Sequence, residues 1–466
     1  MSTFRTITSN TLYQAGGKAL AILISLITTG LLTRHLGQAG YGQYTLITTI
    51  ILLFGTLTDW GTGFIATRMA SRKDFPEPQI YGNLLILRVL ASTIGAIIMI
   101  TLGIFQIVDL PLPLFFLGSL IIFALALRNT MQVIFQTHLK LQYGAIVEAA
   151  TSLIFLAITA WAITQTFITP ASVVLYLLIS STLAGFLALY FGIKLSPISY
   201  TLNPKIISYL VRESAPMGAL LVVFSIYNRL DSFILQYYQG DTAVGLYGLA
   251  YKIHDNLVVG AAFFMNAMYP LIAKSSSSPF EGEARACPRP DRGRGHLNQS
   301  TNSSIKPITN YQIPITKTQK LFSTSFHLLL IAGLLISTIF FIFAKPVILL
   351  LAGPDYLIAV DLLRILMVAT FIAYINHLTG YTLAAIGLQK ISLLIALIAL
   401  SVNLALNYLF IPIYSFYASA WITIVTEAIV LSLSLTYLTQ RQNLAPRLLT
   451  LPDTLKNLLI NRTNLF

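Results

Sequence analysis

The stretch Leu321–Phe343 reads LFSTSFHLLLIAGLLISTIFFIF and contains no Asp, Glu, Lys or Arg. A helix needs about 20 apolar residues to cross the roughly 30 Å hydrocarbon core of a bilayer, so this stretch has the length and composition of a membrane span. Similar stretches follow one another along a chain that is 56% hydrophobic and only 10% charged. Soluble domains carry roughly 25% charged residues, so the composition excludes a water-soluble protein.

Apolar length predicts about twelve such spans. Backbone groups find no water inside a bilayer, and the runs are too long and too uniformly apolar for barrel strands, so we expect helices. The sequence therefore predicts an all-α, polytopic membrane protein. The predicted spans are Leu12–Thr33, Tyr44–Ala70, Tyr81–Ile107, Leu112–Gln136, Ile146–Ile168, Ala171–Ile193, Ala215–Tyr237, Leu246–Ile272, Leu321–Phe343, Ala359–Ile386, Ile391–Ile411 and Phe416–Leu438.

Basic residues occupy both ends of the chain and every second connection, whereas the opposite connections hold chiefly Arg34 and Lys345. Lys and Arg accumulate on the cytoplasmic side, so we predict an inner or plasma membrane protein with both termini in the cytoplasm. This topology, aided by anionic lipid, accounts for the formal net charge of +13 without nucleic acid as a partner. The residues on the predicted cytoplasmic side are Arg5, Arg68, Arg72, Lys73, Lys140, Lys194, Lys205, Arg212, Lys274, Lys317, Lys320, Lys390, Arg441, Arg447, Lys456 and Arg462.

Two short echoes indicate an internal repeat. Gly42-Gln43-Tyr44 and Gly245-Leu246-Tyr247 each precede an apolar span, and Leu141-Gln142 and Leu388-Gln389 each connect two later spans. Their order predicts two six-helix lobes, 1–200 and 201–466, around a central cleft, with a pseudo-two-fold axis along the membrane normal. The alternative is shared turn chemistry without duplication.

Residues 275–316 differ sharply in composition from both flanks. Ser275–Ser278 lead into a stretch with four arginines among Gly and Pro, followed by a Ser/Asn run. Such polar sequence cannot bury a core, so we predict a disordered cytoplasmic insertion. Two alternatives are a misassembled stretch of sequence and a basic arm that binds anionic lipid or a partner.

Three groups of residues carry a resemblance to a known family. They are Thr33–Gly37 with Tyr41–Tyr44, Asn228–Asp231 with Val244–Tyr247, and Asn403–Pro412. The chain resembles the oligosaccharide flippases of the multidrug/oligosaccharidyl-lipid/polysaccharide exporter superfamily. The resemblance implies that a polyprenyl-pyrophosphate-linked oligosaccharide moves from the cytoplasmic to the outer leaflet by alternating access. The expected partners are this lipid-linked substrate, membrane lipid, and a polysaccharide polymerase or assembly machinery.

Ionisable residues at membrane depth are the candidates for function, because each costs several kcal/mol unless it faces a partner or a wet cavity. Arg128, Gln132 and Gln136 recur every four residues and form one polar stripe, which we predict to line the cleft. The planar fork of an arginine suits a pyrophosphate, so Arg128 is the first candidate phosphate contact. The alternative for the stripe is a hydrogen-bonded seam between helices. Arg88 and Arg229 are the second candidates, with snorkelling of Arg88 and a structural ion pair of Arg229 as alternatives.

Buried carboxylates are the candidates for proton or cation coupling. Local neutralisation is the alternative for Asp255, since Lys252 lies one helical turn away, and a structural hydrogen bond is expected for His377. The coupling candidates are Asp59, Glu148, Asp231, Asp255 and Glu427.

Cofactor and metal motifs are missing from the sequence. Lys18 follows Gly16-Gly17 without the spacing of a phosphate loop, and the single cysteine, Cys287, permits no cysteine metal cluster. Three function classes remain: the flippase, a cation-coupled multidrug or metabolite antiporter of the same superfamily, and a membrane glycosyltransferase or polymerase. The predicted outer connections are too short for a catalytic loop, so we do not expect an enzyme.

Overall fold

The fold is all-α, as the apolar runs predict. The computed structural model describes residues 3–72, 74–165, 168–276 and 315–446, and within these ranges the chain forms helices and short connections without a strand. A 3₁₀ turn, Pro354–Tyr356, precedes α11. The helices are α1 Thr3–Asp59, α2 Thr62–Arg72, α3 Glu77–Ile104, α4 Leu112–Thr137, α5 Leu141–Gln165, α6 Pro170–Leu195, α7 Pro204–Tyr227, α8 Leu230–Ser276, α9 Ile315–Ile342, α10 Ala344–Ala352, α11 Ala359–Ala385 and α12 Gln389–Gln442.

Within the described ranges, nine helical stretches are long and apolar enough to cross a membrane. Apolar side chains on the outside of the bundle, such as Leu90, Ile94 and Ile97 on one face of α3, are more than half exposed, as a surface in contact with lipid requires. The chain is therefore a multi-pass membrane protein. The number of twelve crossings stays a prediction, as does the insertion, of which residues 277–314, with Cys287, lie outside the described residues. The basic residues Lys73, Arg447, Lys456 and Arg462 also lie outside them.

Three long helices contain a sharp corner. α1 turns at Gly37 (φ 67°, ψ −177°) and α8 at Gly240 (φ 75°, ψ −176°), whereas α12 turns at Ser415 (φ 53°, ψ −142°). The first two conformations lie in a region that is essentially restricted to glycine. Since 57 residues in α1 and 47 in α8 exceed one span, each corner lets two apolar segments form one continuous element.

The two echoes of the sequence adopt matching backbone structures. The dihedral angles of Gly37 and Gly240 agree within 10°. The second pair also matches, since the amide of Lys140 donates to the carbonyl of Phe135 and that of Leu388 to Leu383, both over 2.8 Å. These matches support the predicted duplication. We call residues 1–200 the N-terminal half and residues 201–466 the C-terminal half.

The two halves meet where α1 crosses α8, just after the two glycine corners. A Cβ atom on Gly42 would collide with the carbonyl oxygen of Asp241, and a Cβ atom on Gly245 would collide with that of Gln38. Only glycine allows the two backbones to approach this closely. We call this region, residues 37–45 of α1 and 240–248 of α8, the crossing end.

A candidate functional site between the two halves

A cavity of about 400 Å³ lies between α1, α4, α5 and α8. Its wall is mostly N-terminal half, and α8 of the C-terminal half contributes Phe263 and Asn266. A helix rises about 1.5 Å per residue, so these lining residues lie roughly 30 to 40 Å along α1 and α8 from the glycine corners. The cavity is therefore at the opposite end of the α1–α8 interface from the crossing end. The lining residues are Lys18, Arg128, Asn129, Gln132, Phe135, Gly144, Ala145, Val147, Glu148, Phe263 and Asn266.

Helix α4 supplies the polar wall of the cavity. Arg128 and Gln132 are one helical turn apart and both line it, and Asn129 stands beside them. The start of α5 makes room for the Gln132 amide, because a Cβ atom on Gly144 would collide with its side-chain oxygen. The wall thus presents a guanidinium group and two amides to the space between the halves.

The third residue of the predicted stripe, Gln136, does not line the cavity. Its side-chain oxygen accepts a hydrogen bond of 3.3 Å from the hydroxyl of Thr67 on α2. The polar side chains of α4 that line the cavity therefore end at Gln132, and Gln136 belongs to a contact between α2 and α4.

A second basic residue faces the cavity from α1. Lys18 forms a salt bridge with Glu148 of α5, and the two side chains are 37% and 38% exposed. Glu148 also interacts electrostatically with Arg128. Lys18, Arg128 and Glu148 together give the cavity two cationic groups and one carboxylate.

Arg88 lies outside this cavity. Its side chain is only 1% exposed, forms a salt bridge with Asp59 and donates a hydrogen bond of 3.1 Å to the hydroxyl of Thr130. The snorkelling interpretation is wrong, because a guanidinium buried among α1, α3 and α4 does not reach the membrane surface. Asp59 is equally engaged, so this pair ties three helices of the N-terminal half together.

Arg229 also has a carboxylate partner outside the cavity. Its guanidinium donates to Asp255 over 2.5 Å and lies 5.2 Å from the ring centre of Tyr251. The expected pair between Lys252 and Asp255 is wrong, because Asp255 forms its salt bridge with Arg229, in the connection between α7 and α8. Among the described residues Lys252 forms no salt bridge.

Two carboxylates of the C-terminal half are held by neutral donors. Asp231 is 4% exposed and accepts hydrogen bonds from the hydroxyl of Tyr247 and the amide of Ser232. Glu427 accepts from the amide of Asn376 over 2.6 Å and from the hydroxyl of Tyr227 over 3.3 Å. Within the described ranges neither carboxylate forms a salt bridge.

His377, by contrast, donates to the carbonyl of Ala373 within its own helix over 2.9 Å. Such a bond within one helix turn leaves the ring in a structural role, as the sequence predicts.

A family model described as "Polysaccharide biosynthesis protein" matches residues 7–276, more than half of the chain. The chain belongs to this family. A search of curated proteins gives no match. The matched residues include every cavity-lining residue, so the candidate site lies within the part of the chain that defines membership of the polysaccharide biosynthesis family.

Several solved structures with a similar fold are described as transporters. A multidrug resistance MATE family transporter of the MOP superfamily, in an inward-facing conformation, superposes with a TM-score of 0.68 at 14% identity, over 96% of this chain and 99% of that chain. The lipid II flippase MurJ, in an inward closed conformation, superposes with a TM-score of 0.66 at 15% identity, over 98% of this chain and 94% of that chain. A MOP superfamily transporter from Pyrococcus furiosus, whose binding pocket is described as having reverse polarity, superposes with a TM-score of 0.63 at 14% identity, over 96% of each chain.

These likenesses confirm the predicted resemblance and the fold. The exporter superfamily predicted from the sequence is the MOP superfamily, and this member of the polysaccharide biosynthesis family has its fold. The structural neighbours named above are described as transporters and a flippase. This fold favours the two transport classes over the membrane enzyme.

Sequence analysis missed Lys18, Asn129, Phe263 and Asn266 as site residues. A lysine inside the first predicted span, Leu12–Thr33, is itself a signal for Lys18, because a charge at membrane depth is costly. The two amides and the phenylalanine carry no charge at membrane depth. They line the cavity because of how α4 and α8 pack. No local pattern in the sequence indicates that packing.

Proposed function

We propose that the protein flips a polyprenyl-pyrophosphate-linked oligosaccharide across the membrane by alternating access through the cavity between its halves. The observation that carries this proposal is the composition of the cavity wall, where Arg128 and Lys18 stand beside the amides of Asn129, Gln132 and Asn266. A pyrophosphate diester carries two negative charges, and arginine binds such oxygens through two parallel N–H donors.

The uncharged part of the wall suits a sugar. Side-chain amides both donate and accept hydrogen bonds, as sugar hydroxyl groups do, and an aromatic ring such as Phe263 offers an apolar face. The volume of about 400 Å³ lies within the usual range of ligand sites, roughly 300 to 1,000 Å³. A charged headgroup with a sugar next to it matches this combination better than a hydrophobic drug does.

The geometry of the α1–α8 interface supports alternating access. The halves touch backbone to backbone at the crossing end and enclose the cavity at the other. The basic connections, including Lys140 just before α5, lie at the cavity end, so we assign that end and both termini to the cytoplasm of an inner or plasma membrane. The substrate then enters from the cytoplasmic leaflet and leaves at the crossing end towards a polymerase or assembly machinery.

A second candidate is a cation-coupled multidrug or metabolite antiporter. The observation that favours it is the pair of carboxylates Asp231 and Glu427, which neutral donors hold in the C-terminal half. Buried carboxylates without a cationic partner are suited to take up protons or cations. The same groups would serve a flippase that is driven by an ion gradient, so they do not by themselves separate the two functions.

The deciding experiment measures leaflet exposure of a fluorescent polyprenyl-pyrophosphate oligosaccharide in vesicles with the purified protein, alongside uptake of a cationic drug. We expect sugar-lipid movement without drug uptake. Arg128→Ala should slow the movement about tenfold or more at unchanged protein abundance, because it removes a charge-assisted pair of hydrogen bonds. Arg364→Ala is the matched control, since Arg364 is 41% exposed and pairs with Asp361 outside the cavity.

Drug uptake coupled to an ion gradient, with no lipid movement, would assign the protein to the antiporters. The residues to test would then be the carboxylates Asp231 and Glu427 rather than Arg128. If the Arg128→Ala protein were instead missing from the membrane, Arg128 would have a structural role in a hydrogen-bonded seam between helices.

A further inference from the structure

The cavity wall contains one carboxylate, Glu148, among its described lining residues. This group extends from α5 and forms a salt bridge with Lys18 of α1, within the site that we propose for an anionic headgroup. A carboxylate at such a place is unexpected, since it repels the phosphate that the neighbouring cations attract. Its presence requires a physical explanation beyond the proposed function.

Glu148 compensates two cations of the cavity wall. Lys18 forms a salt bridge with it, and the charge of Arg128 on α4, beyond salt-bridge distance, is attracted to it. Without a carboxylate the ammonium and guanidinium groups would repel each other in a site shared by four helices, where water screens charges less than in bulk solution. The three groups therefore have the arrangement of an anion site whose anion is supplied by the protein.

We infer that Glu148 is a placeholder for the substrate phosphate: it holds Lys18 and Arg128 in the empty transporter, is displaced when a phosphate binds, and returns when the phosphate leaves. This inference rests on the proposed function and deepens it, because it assigns a role to the acidic residue of the same site. The exchange keeps both cations paired in the loaded and the empty cavity. It also limits affinity, which a transporter requires in order to release its load.

The test compares the binding of farnesyl pyrophosphate, a short isoprenyl pyrophosphate, to wild-type protein and to Glu148→Gln in lipid nanodiscs. Glutamine keeps the shape of the side chain and removes the competing charge. We expect the Kd to fall about tenfold, the effect of removing one nearby unit charge at intermediate screening. We expect flipping of the fluorescent lipid at saturation to become slower, because the bound phosphate is no longer displaced.

Glu213→Gln is the matched control. Glu213 also forms a salt bridge with a basic residue, Arg68, and the two side chains are 41% and 42% exposed, close to the values of the Lys18–Glu148 pair. Glu213 does not line the cavity, so its substitution should leave the Kd unchanged. If Glu148→Gln is not produced in folded form, Glu148→Ala tests the same prediction, because it also removes the charge.

Weaker or unchanged binding by Glu148→Gln would overturn the inference. Weaker binding would make Glu148 a positioning residue that orients Lys18. Unchanged binding, with transport that no longer responds to a pH gradient, would make it the coupling carboxylate. The proposed function fails separately, when Arg128→Ala binds farnesyl pyrophosphate as tightly as the wild-type protein does.

Discussion

The two ends of the α1–α8 interface use opposite chemistry. At the crossing end glycine brings the backbones into contact, and a Cβ atom on Gly42 or Gly245 would collide with the partner helix. At the cavity end the helices stand apart, and Lys18, Phe263 and Asn266 point into the space between the halves. One interface therefore combines close backbone contact at one end with a polar site at the other, which is the arrangement that the proposed alternating access requires.

Several hydrogen bonds join the two halves at or near the crossing end. The guanidinium of Arg34 donates to the carbonyls of Leu349, Leu350 and Leu351 over 3.3, 2.7 and 3.3 Å, and Gln43 donates to Asp241 over 2.8 Å. The three carbonyls end α10, where helix carbonyls lack partners and the helix dipole favours a cation. Arg34, an exception to the charge pattern of the sequence, therefore has a structural explanation.

The largest expected effect is on stability, and it distinguishes a buried salt bridge from the salt bridge in the cavity. Asp59→Asn leaves the guanidinium of Arg88, 1% exposed, without its carboxylate, so we expect a loss of stability of about 3 to 5 kcal/mol. Glu148→Gln, which breaks a salt bridge with side chains 37% and 38% exposed, should cost about 0 to 1 kcal/mol. Thermal unfolding of both variants in detergent measures the difference. Equal unfolding temperatures would mean that the Arg88–Asp59 pair is not structural.

The second prediction concerns the close backbone contact at the crossing end. Gly245→Ala and Gly42→Ala each place a methyl group against a backbone carbonyl of the other half, so we expect each to destabilise the crossing end by about 1 to 3 kcal/mol and to impair transport. Gly380→Ala is the control, since a Cβ atom on Gly380 meets nothing within 4 Å. Alanine there should be neutral or slightly stabilising, because glycine costs about 0.5 to 1 kcal/mol inside a helix. Identical melting curves for all three variants would contradict close packing at the crossing end.

The third prediction loosens the same end without adding bulk. Arg34→Ala removes the donor to α10, and Lys345→Ala removes an equal charge from an exposed residue of the same helix. In a Cys287→Ser background, maleimide labelling of Thr45→Cys at the crossing end should accelerate roughly twofold to fivefold with Arg34→Ala. Lys345→Ala should leave the rate unchanged. Equal rates in both variants would reduce Arg34 to a local cap of α10.

Much of the fold was predictable, because it depends on patterns within single helices. Apolar length predicts the helices, the Gly-x-Tyr echoes pair the two segments that follow the corners, and i to i+4 spacing places Arg128 and Gln132 on one wall. Pairing between helices was not predictable in this way. Lys18 and Glu148 are 130 residues apart and Arg88 and Asp59 are 29 apart, and spacing along the chain assigns a residue to a helix face without naming its partner.

The smallest expected effect divides the polar stripe that the sequence presents as one feature. Gln132 lines the cavity, whereas Gln136 accepts its hydrogen bond from Thr67 of α2. If the cavity binds the headgroup, Gln132→Ala should weaken binding of the fluorescent sugar lipid roughly fivefold, the effect of one lost hydrogen bond of about 1 kcal/mol. Gln136→Ala should change it less than about twofold. Gln136 lies outside the cavity, and the Thr67 hydroxyl that loses this partner can bond to water instead. Equal losses for the two variants would mean that the binding surface extends along the whole of α4, and that the boundary between the cavity and the α2–α4 contact lies elsewhere.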